Sequence, residues 1–251
     1  KDEDDIEPLP DNLAELEREL KPVDLLPTIM TYVLGRGGDH WALDSDLGHE
    51  DANKYSEAEK RLGAKALRLG EEFASSDYEL DELGPNLFSS DWMPYRSAFG
   101  RGLARGAHDL RVGWQKLVDQ LEQLPEAPKD FSVFGGLIEE AISLDPVLAQ
   151  ELLDQCAHHP QLRHVLVYLH SWMEFTEVDL DRCMALLKEP DIRPGMYGPL
   201  LWRGEYVNLP RERIVDLAQH LLSKPGGDDV VLDSLSMRLH LSLLHFSEPP
   251  R

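Results

Sequence analysis

From about residue 131 onward the chain repeats itself. Leu186-Leu187-Lys188-Glu189-Pro190 and Leu221-Leu222-Ser223-Lys224-Pro225 carry one phrase at an offset of 35 residues. Each copy closes an amphipathic stretch and stops it with proline, which lacks the N–H that a continuing helix needs. At the same offset Val165-Leu166-Val167 falls on Leu200-Leu201-Trp202, Leu180 on Val215 and Cys183 on Ala218. A unit of thirty to thirty-five residues holding two helices cannot cover its own apolar face, so neighbouring units must stack. The repeat therefore predicts an all-α protein, and within that class an α-solenoid of stacked helix pairs.

Apolar spacing at i, i+3, i+4 and i+7 fills in the helices. Phe134, Leu137, Ile138, Ala141 and Ile142 give the first stripe of the repeat region, and Leu148, Leu152 and Cys156 the second. Leu162, Val165, Leu166, Leu169 and Trp172 form the third, with Trp172 expected to join adjacent pairs; Leu180, Cys183, Met184 and Leu187 form the fourth. A fifth helix, Tyr197 to Glu205, contains Pro199 and Gly204 and should be short or bent. Ile214, Leu217, Ala218, Leu221 and Leu222 mark the sixth; Val231, Leu235, Leu239, Leu243 and Phe246 mark the seventh. The architecture expected is HEAT- or TPR-like.

The N-terminal part reads as irregular helix. Asp11 is a plausible cap for a helix over 12–20, and Pro27 suits the first turn of another over 27–34. Ala58, Leu62, Ala66, Leu69 and Phe73 predict a helix near 54–75. A long stripe then runs Phe99, Leu103, Ala107, Leu110, Trp114, Leu117, Leu121. Gly100, Gly102 and Gly106 sit in its first half, where each costs a helix about 1 kcal/mol relative to alanine. Such a cost means either that a neighbouring backbone packs closely there or that two helices meet, and a helix–helix contact is expected. Two domains are expected: an acidic helical segment over 1–90 with long loops, and a helical-repeat domain over 91–251.

Charge bounds the partners. The formal net charge is −22, from 47 acids against 25 bases, and the first ninety residues are the more acidic part. Nucleic acid and anionic membrane both require a basic surface, so neither is an expected partner. No stretch approaches the roughly 20 apolar residues of a membrane span. Cys156 and Cys183 lie within apolar helical patterns, as buried free thiols of a reducing, cytoplasmic compartment do. No secretory leader opens the chain, and both ends look like cuts in something longer.

Candidate chemistry is sparse. Asp39, His40, Asp44, Asp46, His49, Glu50 and Asp51 crowd one loop, but its spacing fails the calcium-loop pattern and lacks the second histidine of the zinc-hydrolase motif. Cys156, His158, His159 and His164 are zinc-ligand types at the wrong spacing, and a helix C-terminus accounts for two of the histidines. No nucleophile carries a recognisable catalytic motif. No metal, cofactor or catalytic residue is therefore assigned, and enzyme activity is not expected. A small metal-dependent enzyme built on the 39–51 loop is the third reading.

Binding residues are easier to nominate. Arg96, Arg101, Arg105, His108 and Arg111 are the one basic concentration, with Arg101, Arg105 and His108 expected on one helical face. They suit either an acidic partner or intramolecular pairing with the acidic first ninety residues. Arg182, Lys188, Arg211, Arg213 and Lys224 lie on the polar faces of the second helices, and Tyr197, Trp202 and Tyr206 sit near repeat turns. Trp, Tyr and Arg dominate interface energetics. The partner-binding set is thus Arg101, Arg105, Tyr197, Trp202, Tyr206 and Arg213, with packing of Trp202 and Tyr206 beneath the bent helix as the alternative.

Several phrases carry a resemblance. They are Gly136-Leu137-Ile138-Glu139-Glu140 followed by Leu144-Asp145-Pro146, the two Leu-Leu-x-x-Pro helix ends, Val231-Leu232-Asp233-Ser234-Leu235-Ser236-Met237-Arg238-Leu239, and Gly100-Arg101-Gly102-Leu103-Ala104. Over about 95–246 the chain resembles the helical-repeat regions of large bacterial multidomain proteins of the STAND type, which act in anti-phage defence. The resemblance implies a sensor or recognition arm that binds protein, foreign or self, beside an NTPase or effector domain not present here. A scaffold module that holds protomers of an oligomer together is the runner-up.

Overall fold

The computed structural model describes residues 22–35, 52–124, 129–170, 173–202 and 209–246. Every regular element among them is helical. The contacts divide the chain into two compact units, Lys1–Val133 and Phe134–Arg251.

In the first unit, α1 (Leu25–Tyr32) and α2 (Ala52–Ala74) precede a 3-10 segment, Leu80–Phe88, and then α3 (Arg96–Gly106) and α4 (Leu110–Gln123). Pro27 lies in the first turn of α1, as expected. Helices α2 and α3 pack at backbone contact. A Cβ added to Gly102 would lie 1.9 Å from the Leu67 carbonyl oxygen and 2.8 Å from the Gly70 Cα, and one on Gly106 would meet the Glu71 backbone at 2.3 Å. This is the close helix–helix contact that the glycines imply. It also places residues 96–106 with the first unit rather than with a domain beginning at 91.

The long stripe from Phe99 to Leu121 is two helices, not one. Helix α3 stops at Gly106, and the Asp109 carboxylate caps α4 by accepting from the Arg111 and Val112 amides at 2.9 and 3.3 Å. His108 lies in the break, so it shares no helical face with Arg101 and Arg105. Arg96 is not a surface base. Its side chain is fully buried and donates to the Leu87, Ser89 and Asp91 carbonyls, with Asp130 Oδ1 3.8 Å from its Nε. The Asp130 amide donates to the Phe88 carbonyl at 3.1 Å, so one guanidinium ties the end of the 3-10 segment to residues 129–132.

The second unit holds most of α5 (Ser132–Leu144), then α6 (Pro146–His158), α7 (Leu166–His170), α8 (Glu177–Leu187), α9 (Gly198–Trp202), α10 (Arg211–Leu222) and α11 (Gly227–Phe246). Short 3-10 turns at 162–164 and 194–197 lead into α7 and α9, so Tyr197 of the fifth predicted helix belongs to a 3-10 turn, and the part of that helix after Trp202 lies outside the described residues. Asp145 caps α6 by accepting from the Leu148 amide at 3.0 Å; Thr176 caps α8 with Asp179 completing a capping box. The contacts fall in two series. Helix α6 touches α8 and α8 touches α10, while α7 touches α9 and α9 touches α11.

The buried faces give the true register. Leu148, Leu152 and Cys156 of α6 correspond to Asp179, Cys183 and Leu187 of α8, 31 positions on, and all six are buried. Cys183 and Leu187 correspond in turn to Leu217 and Leu221 of α10, 34 positions on. At the offset of 35 that matches the letters, Leu180 meets Val215, which is 46% exposed, and Leu187 meets Leu222, which is 52% exposed. One residue is a 100° turn of a helix, enough to exchange an inner position for an outer one. Leu235 of α11, expected in the core, is likewise exposed; Val231 and Ser234 take the buried positions.

Candidate functional site

A groove of about 570 Å³ runs between α6 and α8. Gln150, Asp154 and Ala157 line one wall at i, i+4 and i+7; Val178, Arg182 and Leu186 line the other. The Leu148/Leu152/Cys156 stripe of α6 is in the core, and Gln150, Asp154 and Ala157 lie off that stripe on the flank that lines the groove.

Arg182 forms the floor, and its side chain is only 6% exposed. Its Nε donates to Asp154 Oδ1 at 2.7 Å, its Nη2 to Gln150 Oε1 at 2.7 Å, and its Nη1 to Asp179 Oδ1 at 2.8 Å. Asp179, buried on α8, also accepts from the Thr176 amide at 2.9 Å and the Thr176 hydroxyl at 2.6 Å. Burial alone would raise the Asp179 carboxyl, but His170, the two Thr176 bonds and the Arg182 guanidinium outweigh it and hold it below the usual carboxylate range. The charges are tolerated because each guanidinium nitrogen of Arg182 and both carboxylate oxygens of Asp179 are hydrogen-bonded, while Asp154 is 64% exposed to water.

His170 stands beside it with its Nδ1 3.6 Å from Asp179 Oδ1 and its ring edge-on to Phe175, centroids 5.4 Å apart. Neither ring nitrogen has a hydrogen-bond partner among the described residues. Desolvation lowers its pKa to about 4, against the opposing pull of Asp179, so the imidazole is neutral at pH 7. Burial likewise pushes both thiols, Cys156 and Cys183, and the Tyr197 phenol far above their ordinary ranges. Burial disfavours the anionic form of each, which is the nucleophilic one.

The nominated residues scatter. Arg101 and Arg105 lie in the first unit, the others in the second. Arg101 makes interactions of its own, and Arg105 Nη1 is 3.7 Å from Glu71 Oε1, which is pairing with the acidic N-terminal part. Tyr197 is not an exposed aromatic: it is fully buried, and its hydroxyl donates to the Cys183 carbonyl at 2.6 Å. The 3-10 turn at 194–197 points it inward, where that carbonyl supplies the acceptor a buried phenol needs. Arg213 is paired with Asp181 of α8 and lies 3.9 Å from Asp216. The Trp202 side chain, Tyr206, Trp172 and the 39–51 loop lie outside the described residues.

Arg182 was placed on a polar outer face by sequence, and the structure buries it instead. The available signal was Thr176-x-x-Asp179 followed by Arg182 one turn on: a capping acid that faces inward needs a cation beside it. His158 and His159 are held by backbone contacts, His158 Nδ1 2.7 Å from the Asp154 carbonyl and His159 Nδ1 accepting from the Gln161 and Leu162 amides at 3.2 Å. His164 lies 3.5 Å from Asp191, which also binds Arg163. Among the described residues no helix is long and apolar enough to cross a membrane. Comparison of the chain with protein-family models, curated proteins and solved structures finds no match.

Proposed function

We propose that the chain is a protein-binding helical-repeat module, an α-solenoid of stacked helix pairs in which the α6–α8 groove is the recognition surface. The observation that carries this reading is the double series of contacts, α6–α8–α10 and α7–α9–α11, with matching buried stripes at 31 and 34 positions. Stacked repeats expose extended grooves between successive helices of one row, and such grooves are where these architectures bind. Val178, 59% exposed, and Leu186 offer apolar contact there beside the polar Asp154 and Gln150. The shielded thiols and the enclosed His170 favour recognition over catalysis in this chain.

The resemblance to STAND-type regions supplies a setting for the module: the sensor arm of a larger cytoplasmic protein, with a protein ligand, foreign or self, and any NTPase or effector activity elsewhere. The net charge of −22 argues against nucleic acid and anionic membranes as that ligand. The test is quantitative capture from cell extract on immobilised wild type, on Val178→Arg, and on Val112→Arg, an exposed position of α4. Proteins retained by Val112→Arg and lost by Val178→Arg support the groove. Equal retention by all three sinks it.

A further inference from the structure

The α6–α8 groove offers more acceptors than donors. Two arginines line it, and both are engaged within the fold. Arg182 is buried with its three guanidinium nitrogens on Asp154, Gln150 and Asp179, and Arg163 is paired with Asp191. The acids are in surplus. Asp154 gives only Oδ1 to Arg182; its exposed carboxylate has no partner for Oδ2 among the described residues. Glu189, exposed just past the end of α8, has no partner for its carboxylate among the described residues; Lys224 takes only its main-chain carbonyl. His158 Nδ1 lies on the Asp154 carbonyl, so the neutral ring keeps Nε2 as one more acceptor. The shape is as definite. At one end the lining is Ala157, Ala185 and Leu186, and the two short alanine side chains leave a recess there. Arg182 and Leu186 are four residues apart on α8, so this recess lies about 6 Å, one helical turn, from the level of the Asp154 carboxylate.

We infer that the occupant of this groove is a basic amphipathic helix of a partner protein, with an apolar side chain in the Ala157/Ala185 recess and, one turn along, a lysine or arginine at Asp154. The inference rests on the groove being a recognition surface and adds the chemistry that is recognised. An apolar side chain laid over Asp154 would strip water from Oδ2 and supply no donor in its place. An acidic one would set like charges together where Arg182 has no nitrogen left to answer them. A cationic one donates to Oδ2 and offsets the charge. The helical form follows from the spacing, because residues one turn apart share a face and a helix laid between two others meets them through that face. The net charge of −22 also draws a basic partner from a distance.

The probe is a phage-displayed library of random 16-residue peptides, panned at low salt on the 251-residue chain. Counter-selection uses Ala185→Phe, which fills the recess without changing charge. Peptides held by the wild type and not by Ala185→Phe are the groove ligands. They should carry a lysine or arginine three or four residues from a large apolar residue. Synthetic copies should bind Asp154→Asn at least tenfold more weakly by fluorescence polarisation; asparagine keeps an oxygen for Arg182 Nε and removes the charge. Exchanging the basic residue of the peptide for glutamine should cost as much, and both changes together little more than one. Both variants should keep the far-UV circular dichroism of the wild type, since Asp154 and Ala185 are exposed. Groove ligands without a basic residue, or ligands indifferent to Asp154→Asn, overturn the inference and leave the groove standing. If no peptide distinguishes the wild type from Ala185→Phe, the groove is no recognition surface and both readings fall.

Discussion

Replacing Gly102 by alanine isolates the closest contact in the first unit. The new Cβ would sit 1.9 Å from the Leu67 carbonyl oxygen, whereas ordinary contact begins at 3.4 Å, so α2 and α3 must part by about 1.5 Å there. The obstacles are backbone atoms, Leu67 O, Gly70 Cα and Glu71 N, and no rotamer change relieves them. Overpacking of this kind costs roughly 1–3 kcal/mol, and a clash with backbone on every side belongs at the upper end. Alanine returns about 1 kcal/mol in helix propensity. The expected net loss is therefore about 2 kcal/mol, or about 1 M in urea midpoint for a unit of this size. Gly63, inside α2 with nothing within 4 Å of its added Cβ, is the control. Gly63→Ala should stabilise by roughly 0.5–1 kcal/mol from propensity and unfolded-chain entropy. Urea unfolding of both variants by far-UV circular dichroism decides the matter. If Gly102→Ala stabilises as Gly63→Ala does, the two helices are not in backbone contact and the reading of the glycines is wrong.

His170 sets a pH dependence. Its folded pKa, near 4, lies below its ordinary value of 6.5, so between those values the unfolded chain binds a proton that the folded chain refuses. Stability is full above about pH 6.5 and falls as pH drops toward 4, by roughly 3 kcal/mol in total. Asp179, lowered instead, adds its own loss only at more acid pH. Thermal melts from pH 7 to 4 should show the first slope, and His170→Leu should flatten it; an unchanged slope would remove His170 as the cause. Arg182→Ala should cost roughly 3–5 kcal/mol, because it strands the buried Asp179 charge. Adding Asp179→Asn should recover part of that loss. A cost below about 1 kcal/mol for Arg182→Ala would mean that water reaches the carboxylate.

The helices themselves were legible. Stripes at 3.6-residue spacing located α2, α6 and α8 to within a few residues, because an apolar stripe on one face of a helix is used by burying it against a neighbour. The prolines at 190 and 225 marked the ends of α8 and α10 for an equally local reason. The break between α3 and α4 was harder. The apolar spacing continues across it, and only Asp109, a capping residue in mid-stripe, betrays the stop. The register of α10 was misread by one residue because prolines after a helix report where it ends, and burial reports which side faces in. Arg96, Arg182 and Tyr197 escaped for a shared reason. Each is a polar residue that finds carbonyl, carboxylate or amide partners on a neighbouring element of the fold, and residue type alone assigns it to water.

Arg96 also bears on how the first unit opens. A guanidinium cannot shed its proton to ease its burial, so it leaves the interior only when water can replace the Leu87, Ser89 and Asp91 carbonyls together. The turn at 87–91 and residues 129–132 are thus released in one event rather than frayed from either side. Amide hydrogens at Ser89 and Asp130, forty-one positions apart, should then exchange with solvent at a common rate set by that event. Segments distant in sequence behave as one cooperative element because one cation is shared between them.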